Sequence, residues 1–243
     1  MNSTAPASPV APPRRRLYLM RHGSVSYFDE DGRPLGDSQV PLNDHGVAQA
    51  QAAGRLFAAH GVRFDRAITS GLPRTTQTAE IVLRTAGQQL TPIVRPQLQE
   101  IRRGDLQGLR DEELRSAFLG ALEGVPPADT RFMGGETVGE LIGRVLPEID
   151  ALRADADWQC ALLVLHGAVN RVVLSYALTG QPMLLGGLLQ SPACINALDV
   201  GSAPRDWIVR YVNLFADDLL QRDARASTME QLLEQYLKWR RRD

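Results

Sequence analysis

Short apolar runs alternate with helical patterns along the first hundred residues of the chain. The apolar runs are LYLM (17–20), FDRAIT (64–69) and TPIVR (91–95), and the helical patterns cover about 44–60 and 74–86. Short apolar runs are typical of buried strands, and their alternation with helices implies parallel strands joined by right-handed crossovers. The pattern therefore predicts that the chain begins β-α-β-α-β.

The remaining residues continue this alternation with a longer helical region between strands. Residues 106–157 are predicted to be mostly helical, with an exposed Gly/Pro-rich connection at EGVPPADTRFMGGE (123–136). The later predicted elements are a strand in CALLVLHG (160–167), a helix from about 170 to 179, two strands near a sheet edge in ACINALDV (193–200) and DWIVRYV (206–212), and a charged amphipathic helix over 216–242. We predict a three-layer α/β/α sandwich with a mostly parallel central sheet.

Composition and charge narrow the range of partners. The 243 residues include 27 basic and 28 acidic side chains, a formal net charge of −1, and 44% are hydrophobic. This is an ordinary globular composition without the basic excess that favours nucleic acid or an anionic membrane. No apolar run approaches the roughly 18 residues that cross a bilayer. We expect a small-molecule partner, no nucleic acid and no membrane, and the chain could form a homodimer.

The chain is predicted to open with a disordered leader. Residues 1–16, MNSTAPASPVAPPRRR, are rich in Pro, Ala and Ser and lack the apolar core of a signal peptide. We therefore predict a leader over 1–16 and a single α/β domain with a C-terminal helix over 17–243. Cys160 and Cys194 each lie in an apolar run without metal-ligand spacing, which favours buried free thiols and a cytoplasmic location.

Polar residues whose side chains can bind a ligand or take part in catalysis directly follow the predicted strands. His22 and His166 each come after an apolar strand and precede a glycine, and Arg21 lies beside His22. Parallel strands bring such residues to one edge of the sheet, where ligands bind in open α/β folds. Arg74 lies in the first turn of the helix after another strand, and both helix N-termini and guanidinium groups favour phosphate. These residues predict a phosphate site.

Four motifs in order give the chain a family resemblance. They are RHG (21–23), SGLPRTTQTAE (70–80), LQEIRRGDLQG (98–108) and HGAVNR (166–171). Together they resemble the histidine phosphatase superfamily, which includes the cofactor-dependent phosphoglycerate mutases. The resemblance spans roughly residues 17–200, and its specificity comes from the four motifs occurring together at strand ends.

The resemblance implies a role for each matching residue. His22 would be the nucleophile that forms a phosphohistidine, and Arg21, Arg74 and His166 would hold the phosphate oxygens as charge develops. Glu100 in LQEIRRG matches the family's general acid, which protonates the leaving oxygen. The sequence contains no cluster with metal-ligand spacing, so we predict a reaction without metal or other cofactor.

Some positions depart from the family pattern or leave two interpretations open. Ser24 follows RHG where many members have Glu or Gln. Asn43 aligns with a polar residue that could contact phosphate, but a helix N-cap explains it equally well. Asn170 is a weaker candidate, where many members have an apolar residue. His45 and His60 lie within a helical pattern and are predicted to be structural.

We predict a phosphatase that hydrolyses a small phosphomonoester through a phosphohistidine. A phosphoglycerate-mutase-type phosphomutase is the alternative within the family, since GDLQGL (104–109) resembles the mutase motif. Against it, Ile101 and Arg103 stand where mutases usually have Arg and Tyr, and the Gly/Pro-broken segment 108–136 suggests a short loop that closes the site poorly. The alternative from another class is a non-catalytic phosphate-recognising interaction module. The sequence does not name the substrate.

Overall fold

A six-stranded sheet forms the centre of the protein. The computed structural model describes residues 14–31, 33, 35, 39–106, 109–216, 218 and 225–241. The strands are β1 (Arg15–Arg21), β2 (Arg66–Thr69), β3 (Ile93–Val94), β4 (Cys160–Leu165), β5 (Ile195–Val200) and β6 (Trp207–Leu214). They lie in the order β3-β2-β4-β1-β5-β6. Strands β1 to β4 run parallel, whereas β5 runs antiparallel to both β1 and β6, so the sheet is mostly parallel, as predicted.

Helices cover both faces of this sheet. They are α1 (Asp44–Ala59), α2 (Pro73–Thr85), α3 (Asp111–Leu119), α4 (Val138–Ala154), α5 (Gly167–Thr179) and α6 (Thr228–Arg240). Successive β1 side chains point to opposite faces: Tyr18 and Met20 pack in one core with α1 and α2, and Leu17 and Leu19 pack in the other with α3 to α6. The predicted three-layer α/β/α sandwich is confirmed. No helix in the described ranges is both long and apolar enough to cross a membrane.

The sheet begins earlier than the sequence predicted. Strand β1 starts at Arg15, so the last two residues of the predicted leader belong to the sheet. The Arg16 guanidinium donates to Asp199 at 2.6 Å, and the Arg15 guanidinium lies 4.2 Å from the centroid of the Trp158 ring. These contacts hold both arginines against the folded domain. Residues 1–13 of the leader lie outside the described residues.

The segment after residue 108, predicted to be mostly helical up to the Gly/Pro-rich connection at 123–136, contains ordered structure. Residues 107 and 108 lie outside the described range, but α3 and a short 3-10 turn, Gly120–Leu122, occupy the first part of this segment. In the Gly/Pro-rich part, Phe132 and Met133 are buried in the core. The prediction of an exposed connection was therefore wrong at these positions, because apolar side chains between the glycines anchor the segment.

Two further details differ from the sequence prediction. The C-terminal helix begins at Thr228 and not at 216, because the side chain of Ser227 accepts from the Glu230 N–H and the Glu230 carboxylate accepts from the Ser227 N–H. This reciprocal capping fixes a helix start. Cys160 is half-buried and only Cys194 is fully buried; both are free thiols. Burial raises the pKa of each thiol to about 11.

Candidate active site

The four parallel strands deliver polar residues to one edge of the sheet. Arg21 is the last residue of β1 and pairs in register with Leu165, the last residue of β4. His22 and His166 follow them directly, so both imidazoles leave the sheet at the same level. Their ring centroids are 5.3 Å apart, at an interplanar angle of 65°. The sequence prediction that parallel strands bring these two histidines together is confirmed.

The environment of His22 fixes its tautomer. Its Nδ1 lies 2.8 Å from the Gly23 carbonyl oxygen, which can only accept a hydrogen bond, so Nδ1 carries the proton. In the neutral ring, Nε2 therefore has a free lone pair. The pKa of His22 lies well below its ordinary value, because the ring is buried and because Arg21 and Arg74 disfavour a further positive charge. Near neutral pH the ring is a neutral base.

Close packing against α1 explains why position 23 is a glycine. A Cβ at this position would lie 2.6 Å from the Gly46 carbonyl oxygen. A Cβ at Gly46 would lie 2.1 Å from the backbone carbonyl oxygen of Ser24. The two glycines let the start of α1 approach the loop after β1 closely. The Gly23 N–H donates to Thr78 Oγ1 of α2 at 3.0 Å.

His166 is held by a hydroxyl group at the end of β2. Its Nε2 lies 2.8 Å from Ser70 Oγ, which lies 3.0 Å from Thr75 Oγ1. The pKa of His166 is well below its ordinary value because the ring is buried and because His22 and the nearby arginines add unfavourable charge. His166 Nδ1 and Arg21 Nε are both buried without a hydrogen-bond partner among the described residues. Buried polar atoms normally have a hydrogen-bond partner, so the presence of two such atoms without one at this edge indicates a place for a ligand.

The two predicted phosphate-binding arginines are buried at this edge. Arg21 donates through Nη1 to the Gln190 carbonyl at 2.7 Å and to Thr228 Oγ1 at 2.8 Å. Arg74 lies in the first turn of α2, which begins at Pro73. These two buried guanidinium groups add positive charge to this edge of the sheet, which an anion with several oxygens would neutralise.

Glu100 reaches the same edge from the segment after β3. Its Oε1 accepts from the Ile101 N–H at 3.0 Å and from the Ala168 N–H, at the start of α5, at 3.2 Å. A Cβ at Gly167 would lie 3.4 Å from Arg171 Nη1, 3.6 Å from Arg21 Nε and 3.7 Å from Glu100 Oε2. Side chains of Arg171, Arg21 and Glu100 thus meet around this glycine.

A buried ion pair holds the Glu100 segment in place. Arg144 of α4 contacts Glu136 through Nε–Oε1 at 2.7 Å and Nη2–Oε2 at 2.9 Å. Arg144 also donates to the carbonyl oxygens of Gln99 and Glu100, and Glu136 accepts from the Arg102 N–H. Burial alone would raise the pKa of Glu136, but the hydrogen bonds from Arg144 and Arg102 lower it below its ordinary value.

The two weaker candidates have defined structural partners. Asn43 is the N-cap of α1: its Oδ1 accepts from the Gly46 N–H at 2.9 Å. It also borders a cavity with His22, so a contact with phosphate stays a prediction. Asn170 is buried, and its amide donates to Gln190 Oε1 at 3.1 Å. Since the Gln190 carbonyl holds Arg21, Asn170 belongs to the support of the site.

Sequence reasoning missed several residues at the site. Ser70 and Arg171 lie inside motifs that carried the family resemblance, so the motifs could have pointed to them. Burial lowers the pKa of Arg171 to about 10. Gln49 borders the His22 cavity, where its Oε1 accepts from the Ser24 N–H, and His45, predicted as structural, borders the same cavity. Thr228 had no signal, because nothing in the sequence shows where the C-terminal helix packs.

Three neighbouring cavities open around Arg21. The His22 cavity, of about 740 Å³, has His22 in its wall. The Glu100 cavity, of about 270 Å³, is bordered by Glu100, and the Arg74 cavity, of about 310 Å³, is bordered by both Glu100 and Arg74. Arg21 and Thr228 border all three. The three cavities therefore meet at Arg21 and Thr228.

Comparison with known proteins identifies the family. Residues 17–213 match the family model of the histidine phosphatase superfamily (branch 1). The chain belongs to the histidine phosphatase superfamily. The resemblance read from the four motifs is thereby confirmed, and the superfamily contains both phosphatases and mutases.

Individual relatives point in two directions. A 2,3-bisphosphoglycerate-dependent phosphoglycerate mutase from Methylobacterium sp. (strain 4-46) is 35% identical over 141 residues, which cover 55% of this chain and 65% of that protein, so the match spans less than two thirds of it. An α-ribazole phosphatase structure from Shigella flexneri is similar with a TM-score of 0.63 and 26% identity, covering 82% of this chain and 96% of that one. The structure of a mycobacterial glucosyl-3-phosphoglycerate phosphatase is similar with a TM-score of 0.65 and 26% identity, covering 82% of this chain and 99% of that one.

Proposed function

We propose that the protein is a phosphatase that hydrolyses a small phosphomonoester through a phosphohistidine on His22. The observation that carries the proposal is the neutral His22 ring, whose Nδ1 proton is fixed by the Gly23 carbonyl so that Nε2 is the free nucleophile. Arg21 and Arg74 supply buried positive charge beside it. A nucleophile and a charge clamp are the two parts that phosphoryl transfer needs most.

The reaction would proceed in two displacements. In the first, His22 Nε2 attacks phosphorus, the bond to the ester oxygen breaks, and protonated Glu100 gives its proton to the departing alkoxide. In the second, the Glu100 carboxylate takes a proton from water, which attacks the phosphohistidine and releases inorganic phosphate. Glu100 thus acts as acid and then as base, as microscopic reversibility requires of one group in both steps.

His166 would bind a phosphate oxygen through Nδ1. The Thr75 hydroxyl would donate to Ser70 Oγ, which also accepts from the Leu72 N–H at 3.4 Å, so the Ser70 proton would go to His166 Nε2. A neutral His166 then carries its proton on Nδ1, the buried atom without a protein partner. Ser70 would thus be a positioning residue that selects the tautomer of His166.

Two contacts favour water over a second substrate group as the acceptor. A mutase must bind a second anionic group of its substrate while the phosphohistidine is kept from hydrolysis. Ile101, in the position of the expected arginine, is buried in the apolar core. Arg110 is bound to Glu112 and Glu113 at the start of α3. A phosphomutase is the second candidate, because the Methylobacterium relative carries that name and Arg102 borders the Arg74 cavity.

The fate of phosphate decides between these activities. The full-length protein is incubated with p-nitrophenyl phosphate, with small phosphomonoesters and with 3-phosphoglycerate, and His22→Ala is the control. We expect phosphate release from monoesters that depends on His22. Interconversion of 2- and 3-phosphoglycerate faster than phosphate release would establish the mutase instead. Binding of inorganic phosphate with no turnover of any ester would establish the interaction module.

A further inference from the structure

We infer that the Arg74 cavity is the leaving-group subsite and that it selects phosphomonoesters whose alcohol has an apolar, aromatic-sized body. This inference rests on the proposed phosphatase function and names its substrate class. It excludes small, highly polar alcohols, including a glycerate, as preferred leaving groups.

The direction of attack places the leaving group on the Glu100 side. Attacking and leaving atoms lie roughly in line on opposite sides of phosphorus. His22 borders the His22 cavity but is absent from the walls of the other two, whereas Glu100 borders both of the others. The ester oxygen must be near the acid, so the alcohol leaves away from His22.

The positions of Arg21 and Arg74 indicate which of the two remaining cavities receives the alcohol. A phosphate held by Arg21 and Arg74 faces the one cavity, among the three, that has both guanidinium groups in its wall. The Glu100 cavity has Arg21 but not Arg74, and it holds the polar residues Arg171, Gln190 and Glu230. The alcohol therefore enters the Arg74 cavity.

The walls of the Arg74 cavity away from the phosphate are apolar. They include Phe28, Leu72, Leu106, Phe118, Phe132 and Met133. The charged groups Arg21, Arg74 and Glu100 form its phosphate end, while Arg102 and Arg103 are exposed to solvent. A volume of about 310 Å³ accepts a group of aromatic size, and most ligand sites combine such apolar walls with a few polar anchors. A glycerate would leave these walls without apolar contact.

The effect can be measured with leaving groups of matched chemistry. Ethyl phosphate and 2-phenylethyl phosphate both release a primary alkoxide, so the general acid has the same task for each. Burial of each additional carbon contributes about fourfold in kcat/KM, by transfer of apolar area from water. We expect 2-phenylethyl phosphate to exceed ethyl phosphate and 3-phosphoglycerate by about 30-fold or more in kcat/KM.

Two variants test whether this wall causes the preference. Phe28→Ser and Leu72→Ser should each reduce the ratio of the two kcat/KM values by about three- to tenfold. Leu72 is half-buried, lies outside both apolar cores, and is an N-cap without a side-chain hydrogen bond, so serine there preserves the start of α2 and keeps the test valid if Phe28→Ser does not fold. Leu178→Ser, at an exposed apolar position of α5, is the matched control and should keep the wild-type ratio.

The outcomes separate this inference from the proposed function. Hydrolysis of p-nitrophenyl phosphate that depends on His22, combined with a ratio of phenylethyl to ethyl phosphate near one, would overturn the subsite and leave the phosphatase intact. A ratio that is high in the wild type and unchanged by both Phe28→Ser and Leu72→Ser would also overturn it. Failure to hydrolyse any ester would overturn the proposed function itself.

Discussion

The phosphate end and the leaving-group end of this site are built in different ways. At the phosphate end, Arg21, His22 and His166 follow neighbouring parallel strands and are fixed by backbone and hydroxyl contacts. At the leaving-group end, the wall of the Arg74 cavity comes from a loop after β1, from α3 and from α6, which are far apart in the chain. The first arrangement fixes the class of reaction, and the second decides which alcohol fits.

The largest effect should come from the nucleophile at the phosphate end. His22→Ala removes the side chain that forms the bond to phosphorus in the proposed mechanism, and we expect kcat/KM to fall roughly 10⁴-fold or more. Rapid-quench mass spectrometry should find an acid-labile phosphoryl group on His22 of the wild type. A phosphoryl group that persists on the His22→Ala protein would remove His22 from the nucleophile role.

Glu100→Gln should separate the two ends by leaving group. A general acid contributes about 10²–10⁴-fold only where the leaving oxygen needs a proton. We therefore expect that loss for ethyl phosphate and a much smaller one for p-nitrophenyl phosphate, whose phenolate leaves without help. Steady-state kcat/KM for both esters measures it, and an equal loss on the two would contradict the acid role.

The same contrast explains what the sequence could and could not predict. His22 and His166 were predictable because a short apolar strand followed by a polar residue carries a local signal, and β1 and β4 are parallel neighbours. Thr228 was not, because its contact with Arg21 spans 207 positions and depends on how α6 packs. Phe132 was predicted to be exposed, because Gly and Pro nearby indicated a loop and the burial of its ring is a tertiary effect.

The ion pair behind Glu100 should link stability to catalysis. Arg144→Met keeps the length of the side chain but leaves the Glu136 carboxylate buried without its partner, which costs about 3–5 kcal/mol of unfolding free energy. Urea unfolding measures this loss. In the folded fraction, ethyl phosphate hydrolysis should fall more than p-nitrophenyl phosphate hydrolysis, because the backbone of Glu100 is released.

A double change tests that explanation of the Arg144 effect. Arg144→Met combined with Glu136→Leu removes both charges, and replacing a buried pair with apolar groups is often close to neutral. We expect the double variant to recover much of the lost stability. It should not recover the discrimination between the two esters, since the hydrogen bonds to the Gln99 and Glu100 carbonyls are absent in both variants.

Ser70→Ala should have a moderate effect confined to the phosphate end. Loss of one hydrogen bond that sets the tautomer of His166 corresponds to about tenfold in kcat/KM. Because the alcohol does not contact Ser70, the ratio of 2-phenylethyl to ethyl phosphate should stay unchanged. Ser70→Thr, which restores a hydroxyl group, is the rescue variant, and equal activity of the alanine and threonine proteins would contradict the positioning role.

The smallest effect concerns the dependence of stability on pH. Native His22 and His166 are neutral because their pKa values lie well below the ordinary value, whereas both bind protons in the unfolded chain near pH 6.5. The stability that they contribute is therefore complete above about pH 6.5 and is lost as the pH falls below it, by at most about 1.4 kcal/mol per pH unit for each histidine. Urea unfolding at pH 7.5, 6.5 and 5.5 measures this slope.

Single histidine variants assign the slope to the phosphate end. His166→Ala should flatten the decrease between pH 6.5 and 5.5, because one of the two groups that gain a proton on unfolding is gone. His60→Gln is the control, since His60 is exposed at the end of α1. The Glu136 carboxylate adds its own acid sensitivity only below its ordinary pKa, since its pKa is lowered, so it does not contribute to the slope above about pH 5. A His166→Ala slope equal to that of the wild type would show that His166 is protonated in the native state, and the neutral tautomer assigned through Ser70 would then be wrong.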